Sequence, residues 1–298
     1  MQEAMVFKVM VCSAFVAVLY TIVNARKRRI RVTDGKIFVL CQVCYRVILM
    51  RMKLTSLFVA GSVLVLCQCQ PVPLPQMPGQ SAPVVYMPEE MCYLDEVAPL
   101  VKVDLKYCGN DNFVGRPIAG YTTGHRAVLR KDTALALKQA SESLAKEGLG
   151  ILVWDAYRPS RAMKDFYAWS QTGDDKTKAE FYPNISKREI YEHRYIGKVS
   201  EHSWGVAVDI TLIDLKTGKE LDMGGRHDLL DASSATNSPL ITAAQRANRR
   251  KLCDTMAAVG MRNYSKEWWH YFLAEKGTCY QYDFPLNDNM QPRQSQNP

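Results

Sequence analysis

The stretch Ser200-Glu201-His202-Ser203-Trp204-Gly205-Val206-Ala207-Val208-Asp209 places the tightest constraint on what this chain can fold into. Val206, Val208 and Ile210 alternate with Ala207 and Asp209, the period of a half-buried strand. An imidazole, His202, and a carboxylate, Asp209, stand seven residues apart in this run. An odd separation puts them on opposite faces of a straight strand, because side chains alternate. They converge only if the chain bends between them, and Gly205 is where a bend or bulge costs least. A third donor lies far downstream, in Glu267-Trp268-Trp269-His270. His202, Asp209 and His270 make a set of two nitrogens and one oxygen with a fourth position left for water. That is the pattern of a catalytic rather than a structural zinc. A fold that uses it must bring residue 270 back beside residues 202–209.

The surrounding chain reads as helices and strands in mixed order. Val101–Tyr107 alternates and is expected as a strand, with loop at 112–117. Asp132 is expected to cap a helix whose buried stripe is Ala134, Leu137, Ala140, Ser141 and Leu144, stopped by Gly148. Gly150–Asp155 is a short apolar strand. Tyr157-Arg158-Pro159 turns the chain, and Pro159 starts a helix to about Trp169. Residues 171–199 read as polar and irregular, and 221–237 as a loop. Residues 240–260 form a helix bearing Arg246, Arg249, Arg250 and Lys251, and a last strand, about Trp268–Leu273, carries His270. The expected fold class is α+β: a single domain with a central antiparallel sheet presenting the ligands and helices packed on it.

The net charge of +8 invites a nucleic-acid reading, but its placement argues against one. Ten of the 38 Lys and Arg and two of the 30 Asp and Glu fall in residues 1–53, which leaves 28 of each sign in the rest. The folded part is neutral, so no polyanion-binding face is expected. A hydrophobic fraction of 47% is enough for a substantial core.

The first 69 residues read as a leader. Met5–Val23 is almost wholly apolar and is followed by Arg26-Lys27-Arg28-Arg29. By length it would span a membrane with the basic cluster on the cytoplasmic side. A second apolar run, Leu54–Leu66, has the length of a signal-peptide core. The simplest account starts translation at Met50 or Met52, with 1–49 an over-called extension and about 50–69 a signal peptide. The rivals are a two-segment membrane anchor, or a lipid on Cys67 or Cys69, although Leu66 and Gln68 fit a lipid-attachment site poorly. Residues 70–84 form a Pro-rich linker, 85–285 the catalytic domain and 286–298 a flexible tail. The expected location is exported, periplasmic or envelope-associated, or else membrane-anchored. Cys41-Gln42-Val43-Cys44 has no partner pair to make a metal knuckle. Cys92, Cys108, Cys253 and Cys279 are either two disulfides or four free thiols.

If His270 binds zinc, Glu267 stands beside the metal's water. Zinc lowers the pKa of that water to about 7, so a carboxylate can take its proton at neutral pH. The tetrahedral intermediate then needs a donor besides the metal. Arg158, fixed by Pro159 and never neutral, suits that role. Each residue also has a plainer reading. Asp209 would cap a turn, Arg158 would pair with Asp155, and Trp204, Trp268 and Trp269 would be core. His125 and His193 have no ligand-spaced partner, and His227 sits in a polar loop.

Ser-x-His-x-x-Gly-x-Ala-x-Asp at 200–209, with Glu-x-x-His at 267–270, resembles the zinc D-alanyl-D-alanine peptidases. These include dipeptidases, D,D-carboxypeptidases and, more distantly, hedgehog signalling domains. Further stretches resemble the VanX-type dipeptidases in particular. They are Leu105-Lys106-Tyr107, Asn112-Phe113-x-Gly115 with Gly120-Tyr121, Trp154-Asp155-Ala156-Tyr157-Arg158-Pro159-x-Arg161-Ala162, Tyr182-Pro183-Asn184-Ile185, Asp222-Met223-Gly224 and Glu267-Trp268-Trp269-His270-Tyr271. The similarity covers about residues 85–285.

The resemblance implies one zinc per chain on His202, Asp209 and His270, with Glu267 as catalytic acid and base and Arg158 stabilising the transition state. It makes Ser200 and Asp228 the substrate-binding candidates. Two departures stand out. His227 occupies a position where the family tends to have phenylalanine, and the segment after Asp231 lacks the histidines often found there. They leave the metal chemistry intact and bear on how the free amino end of a dipeptide is held. The implied activity is hydrolysis of D-Ala-D-Ala to D-alanine. The alternatives are a D,D-carboxypeptidase trimming peptidoglycan stem peptides, or a non-catalytic zinc module binding wall peptide. The expected partner is a small peptide, with no nucleic acid and with membrane contact only through the leader or a lipid anchor.

Overall fold

The computed structural model describes residues 28–33, 36–41, 85–122 and 125–292. The chain divides into two compact units, Met1–Gln76 and Met77–Pro298. In the first, β1 (Arg28–Thr33) and β2 (Lys36–Cys41) pair as an antiparallel hairpin. The apolar runs at Met5–Val23 and Leu54–Leu66, Cys67, Cys69 and the linker lie outside the described residues. Among the described residues no helix is long and apolar enough to cross a membrane.

The second unit begins with β3 (Tyr86–Met87), β4 (Met91–Tyr93), the one-turn helix α1 (Leu94–Val97) and β5 (Lys102–Val103). After a loop come β6 (Val128–Arg130), α2 (Lys131–Ala145), β7 (Leu149–Asp155) and α3 (Ser160–Ser170). Two short helices, α4 (Lys178–Phe181) and α5 (Lys187–Glu192), precede β8 (Ala207–Asp214). The chain closes with α6 (Ala243–Ala258), β9 (Met261–Asn263), β10 (His270–Leu273) and β11 (Gln291–Pro292). The main sheet runs β5-β7-β8-β10-β9. It is antiparallel throughout except at the β5–β7 edge, which is parallel. The expected α+β domain with a central, largely antiparallel sheet is therefore the observed one; of the three candidate ligands the sheet carries Asp209 and His270, while His202 lies just before it.

β8 sits at the centre of that sheet. Val208, Ile210 and Leu212 on one face and Ala207, Asp209 and Thr211 on the other are all buried, so both faces are covered. α2 buries the anticipated stripe of Ala134, Leu137, Ala140, Ser141 and Leu144. Asp132 is not its cap, however. The helix starts two residues earlier, with Arg130 in the cap position, and Asp132 lies in the first turn. There its carboxylate faces the positive end of the helix and pairs with Arg130 at 2.6 Å.

The strand expected at Val101–Tyr107 is cut to Lys102–Val103 and followed by a 3-10 turn at Lys106–Cys108. The chain leaves the sheet there because Tyr107 is buried, with its hydroxyl on Asp228 at 3.1 Å. The segment 171–199 is less irregular than its composition implies. Ser186 and Glu189 form a capping box that starts α5. A second box, Thr242 with Gln245, starts α6. Arg249 of that helix is fully buried rather than solvated. It donates to the carbonyls of Met223 (2.7 Å), Ser233 (2.9 Å) and Ala235 (2.7 Å) and so pins the loop that carries His227 and Asp228.

The folded body does not end at 285. Leu286 and Met290 are buried, and β11 pairs with β3. The Met290 amide donates to Tyr93 Oη at 2.7 Å. The tail expected from residue 286 is part of the domain as far as Pro292, because two apolar side chains anchor it. Cys92, Cys108, Cys253 and Cys279 are free thiols. Burial pushes Cys92 up to about 11 and Cys108 up to about 12, so neither is a thiolate near neutrality.

Candidate active site

The three candidate ligands reach one point by two local devices. His202 lies on a 3-10 turn, Glu201–Trp204, and not on the strand itself. Ser200 caps this turn, its Oγ accepting from the His202 amide at 3.3 Å. Gly205 closes it in the left-handed region at φ +69°. A Cβ there would stand 2.7 Å from Met91 Sδ and 3.1 Å from the Arg130 amide nitrogen, so only glycine fits. The bend anticipated at Gly205 is thus a turn that ends before β8 begins.

Sheet register does the rest. Asp209 on β8 stands directly opposite His270 on β10. On its other side it faces Asp155 of β7, where a bulge skips Trp154 and re-aims the carboxylate. Asp155, Asp209 and His270 therefore form a row across three adjacent strands, and the turn lowers His202 onto it.

His202 Nε2 lies 3.1 Å from His270 Nδ1 and 3.3 Å from Asp209 Oδ1, and His270 Nδ1 lies 3.0 Å from Asp209 Oδ1. Bonds of ~2.0–2.1 Å to a tetrahedral zinc put ligand atoms about 3.4 Å apart. These donors meet that spacing after shifts of a few tenths of an ångström. The tautomer fits as well: His202 Nδ1 donates to the Ala156 carbonyl at 2.7 Å, which leaves a lone pair on Nε2 in the neutral ring. Two imidazole nitrogens and a carboxylate oxygen aimed at one point suit a divalent cation. His202 and Asp209 are buried, while 12% of the His270 side chain remains open to the cavity.

The second oxygen of Asp209 is held from behind. Arg158 Nη2 and His227 Nε2 each lie 3.3 Å from Oδ2. Arg158 also donates from Nε to Asp155 Oδ2 at 2.8 Å, and Tyr121 donates to Asp155 Oδ1 at 2.6 Å. Arg158 is thus the partner of Asp155, as the plainer reading has it, and it also lines the cavity. Burial works against the charge of Asp209, but His202 and the hydrogen bonds from His202, His227 and His270 hold its carboxyl well below the ordinary range. Glu267 behaves in the opposite way. Burial, then the negative charges of Asp209 and Asp228, push it well above the usual glutamate value. Burial likewise raises Asp228. Its backbone is in the left-handed region at φ +61°, and its Oδ2 is buried with no hydrogen-bond partner.

These groups line a cavity of about 290 Å³ that includes Ser200, Asp228, Glu267 and Trp269. All seven sequence candidates, His202, Asp209, His270, Glu267, Arg158, Ser200 and Asp228, meet in or beside it. His227 is the addition. It is buried between Trp154 (ring centroids 5.1 Å apart) and Trp269 (5.7 Å), and its loop position gave no periodic signal. Trp268 and Trp269 are core, as the plainer reading has it, although Trp269 also faces the cavity.

A three-donor centre leaves a coordination position to water or substrate, which separates catalytic from structural zinc sites. With a buried acid and a guanidinium in the same cavity, the fold and site define a metal-dependent hydrolase. Sequence comparison narrows the class. The D-ala-D-ala dipeptidase family of M15 peptidases matches residues 87–290. The chain is 42% identical over 202 residues to the D-alanyl-D-alanine dipeptidase of Streptomyces coelicolor, covering 67% of this chain and 100% of that protein. It is 40% identical over 196 residues to the D-alanyl-D-alanine dipeptidase of Enterococcus faecium, covering 65% and 96%. To that of Escherichia coli it is 30% identical over 186 residues, covering 62% and 86%. The chain belongs to the D-Ala-D-Ala dipeptidase family, a family of zinc peptidases.

Proposed function

We propose that this protein hydrolyses the dipeptide D-Ala-D-Ala to two molecules of D-alanine, with one zinc ion per chain on His202, Asp209 and His270. The observation that carries the reading is the convergence of those three donors in the cavity that also holds Glu267 and Arg158. It is the single cluster of this kind among the described residues, which supports a count of one. The names of the relatives support the substrate.

When bound, zinc makes water acidic and polarises the peptide carbonyl. Glu267 takes a proton from the attacking water and delivers it to the leaving amide nitrogen as the C–N bond breaks. Burial raises this carboxyl, so it holds a proton more readily than an exposed glutamate, which suits return of that proton to the leaving nitrogen. Arg158 spends Nε on Asp155 and one Nη on Asp209. Its remaining nitrogen, Nη1, has only the weak acceptor Met163 Sδ at 3.9 Å, and Arg158 lines the cavity, so Nη1 is the donor left for the developing oxyanion. Asp228, steadied by Tyr107, offers its unpartnered Oδ2 to the ammonium of the dipeptide. Ser200 lines the same space and holds the His202 turn.

Zinc-loaded protein is expected to release two D-alanines per dipeptide consumed. Glu267→Gln is expected to lower the rate ~10²–10⁴-fold while metal stays bound. Folded, zinc-loaded protein that leaves the dipeptide intact would sink the reading. Faster release of D-alanine from a stem pentapeptide than from the dipeptide would replace it with a D,D-carboxypeptidase. We also infer an exported enzyme, a reading supported by the apolar runs and Pro-rich linker before residue 85. Recovery of the protein solely from the cytoplasmic fraction would overturn that.

A further inference from the structure

A dipeptide is a zwitterion, and the cavity that receives it is unevenly charged. Four acidic residues line it, Glu201, Asp209, Asp228 and Glu267, with two arginines, Arg158 and the exposed Arg194. Arg158 is engaged by Asp155 and Asp209. Glu201 is engaged by Lys276 at 2.9 Å. Arg194 forms no ion pair among the described residues, although it stands at the rim of a cavity rich in carboxylates.

Its backbone is set by the end of α5. Arg194 is the left-handed residue (φ +61°) just past that helix: its amide donates to the Tyr191 carbonyl at 3.1 Å, and the Tyr195 amide donates to the Ile190 carbonyl at 2.9 Å. Two further bonds hold this turn. Tyr264 Oη donates to the Arg194 carbonyl at 2.9 Å. Lys266 donates to the carbonyl of the preceding residue, His193. The ring of Tyr264 packs edge-on against His270, centroids 6.0 Å apart. Tyr264 therefore ties the place of Arg194 to that of a candidate metal ligand.

We propose that Arg194 anchors the C-terminal carboxylate of the peptide substrate. A guanidinium takes a carboxylate through two parallel N–H···O bonds, which fixes both distance and direction. Asp228 would then take the ammonium and Arg194 the carboxylate within the one cavity that Asp209 and His270 also line. The proposal rests on the peptidase reading of the site. It applies to any substrate whose last residue is the one released, whatever the length on the amino side.

The test is calorimetric titration of zinc-loaded Glu267→Gln protein with D-Ala-D-Ala and with its C-terminal amide. The same pair is then titrated into proteins also bearing Arg194→Gly or Arg194→Lys. Glycine is chosen because it adopts φ +61° without strain. The amide is expected to bind the parent about tenfold or more weakly, the worth of a charge-assisted hydrogen bond. Arg194→Gly is expected to weaken the dipeptide by a similar factor and bring acid and amide within about twofold, while Arg194→Lys keeps most of the preference. In turnover, Arg194→Gly in the otherwise unaltered enzyme raises KM with little change in kcat. An Arg194→Gly protein that keeps the parent's preference for the free acid overturns the anchor and leaves the dipeptidase reading standing. Failure of the unaltered enzyme to hydrolyse the dipeptide overturns that reading, and the anchor with it.

Discussion

The two oxygens of Asp209 have separate tasks. Oδ1 faces the two imidazoles, and Oδ2 is held by Arg158 and His227, each at 3.3 Å. As the proposed ligand, a carboxylate fixed in this way cannot rotate to present both oxygens to a metal. His227 is the part of that arrangement the spacing of residues did not reveal. It stands 18 positions from Asp209 on a loop without period, and only the folded chain brings them together. Arg158 and Asp155, three apart across a turn, were readable as a pair. His227→Phe keeps an aromatic ring among Trp154, Trp269 and Tyr107 and removes one of the two donors on Oδ2. Removal of such a supporting contact costs ~10–100-fold in metal affinity. With Arg158 still in place the expected loss is about tenfold, read by competition with a chelator. An unchanged affinity would mean that Arg158 alone orients the carboxylate.

At the scale of elements, the site depends on a turn placed before a strand. The turn at Glu201–Trp204 ends in Gly205 at φ +69°, packed against Met91 and the Arg130 amide. Gly205→Ala meets a disfavoured backbone, displaces the flexible end of Met91 and sits tight against the Arg130 amide. Left-handed strain alone costs ~1–3 kcal/mol, and the tight contact adds to it. The expected result is a loss of at least about 2 kcal/mol of stability in urea titration, together with weakened metal binding. Alanine tolerated without either effect would refute the claim that this turn aims His202.

The need for a bend was legible, because alternation would otherwise send His202 and Asp209 to opposite faces. The form of the bend was not, since a turn followed by a strand and a kinked strand have the same sequence signal. Long periodic elements were read well. α2 buries the anticipated stripe, and β7 and β8 lie where expected. Short elements fixed by tertiary contacts were not. Tyr107 leaves its strand to reach Asp228, and Leu286 and Met290 extend the body to β11. Neither outcome is written in local periodicity. Ser186-x-x-Glu189 is an exception of another kind, a legible capping signal inside a stretch that composition made look irregular.

For the whole molecule, the proposed metal site is also a stability device. It joins the turn at 201–204, β8 and β10, and it collects three buried carboxyls, Asp209, Asp228 and Glu267. Without a cation, burial raises Asp228, and burial with the neighbouring acids raises Glu267. The sign follows. An acid whose folded pKa is raised is protonated more readily in the folded state, so stability falls as pH climbs from the ordinary carboxylate range through the raised value. Asp209 acts oppositely, and its contribution is lost only as pH drops below the ordinary aspartate value. Zinc, bound by the folded state alone, stabilises by RT ln(1 + [L]/Kd), ~4 kcal/mol at a thousandfold excess over Kd. At ~2–4 °C per kcal/mol for a domain of this size, Tm is expected to rise by about 8–16 °C on zinc and to fall back with chelator. The gap between loaded and metal-free protein should widen as pH rises from about 5 to 7, since ligand deprotonation favours binding while the raised acids weaken the metal-free fold. Thermal melts at paired pH values, with and without chelator, read both effects. A gap that narrows with rising pH would show that the buried acids do not set the stability of the metal-free site.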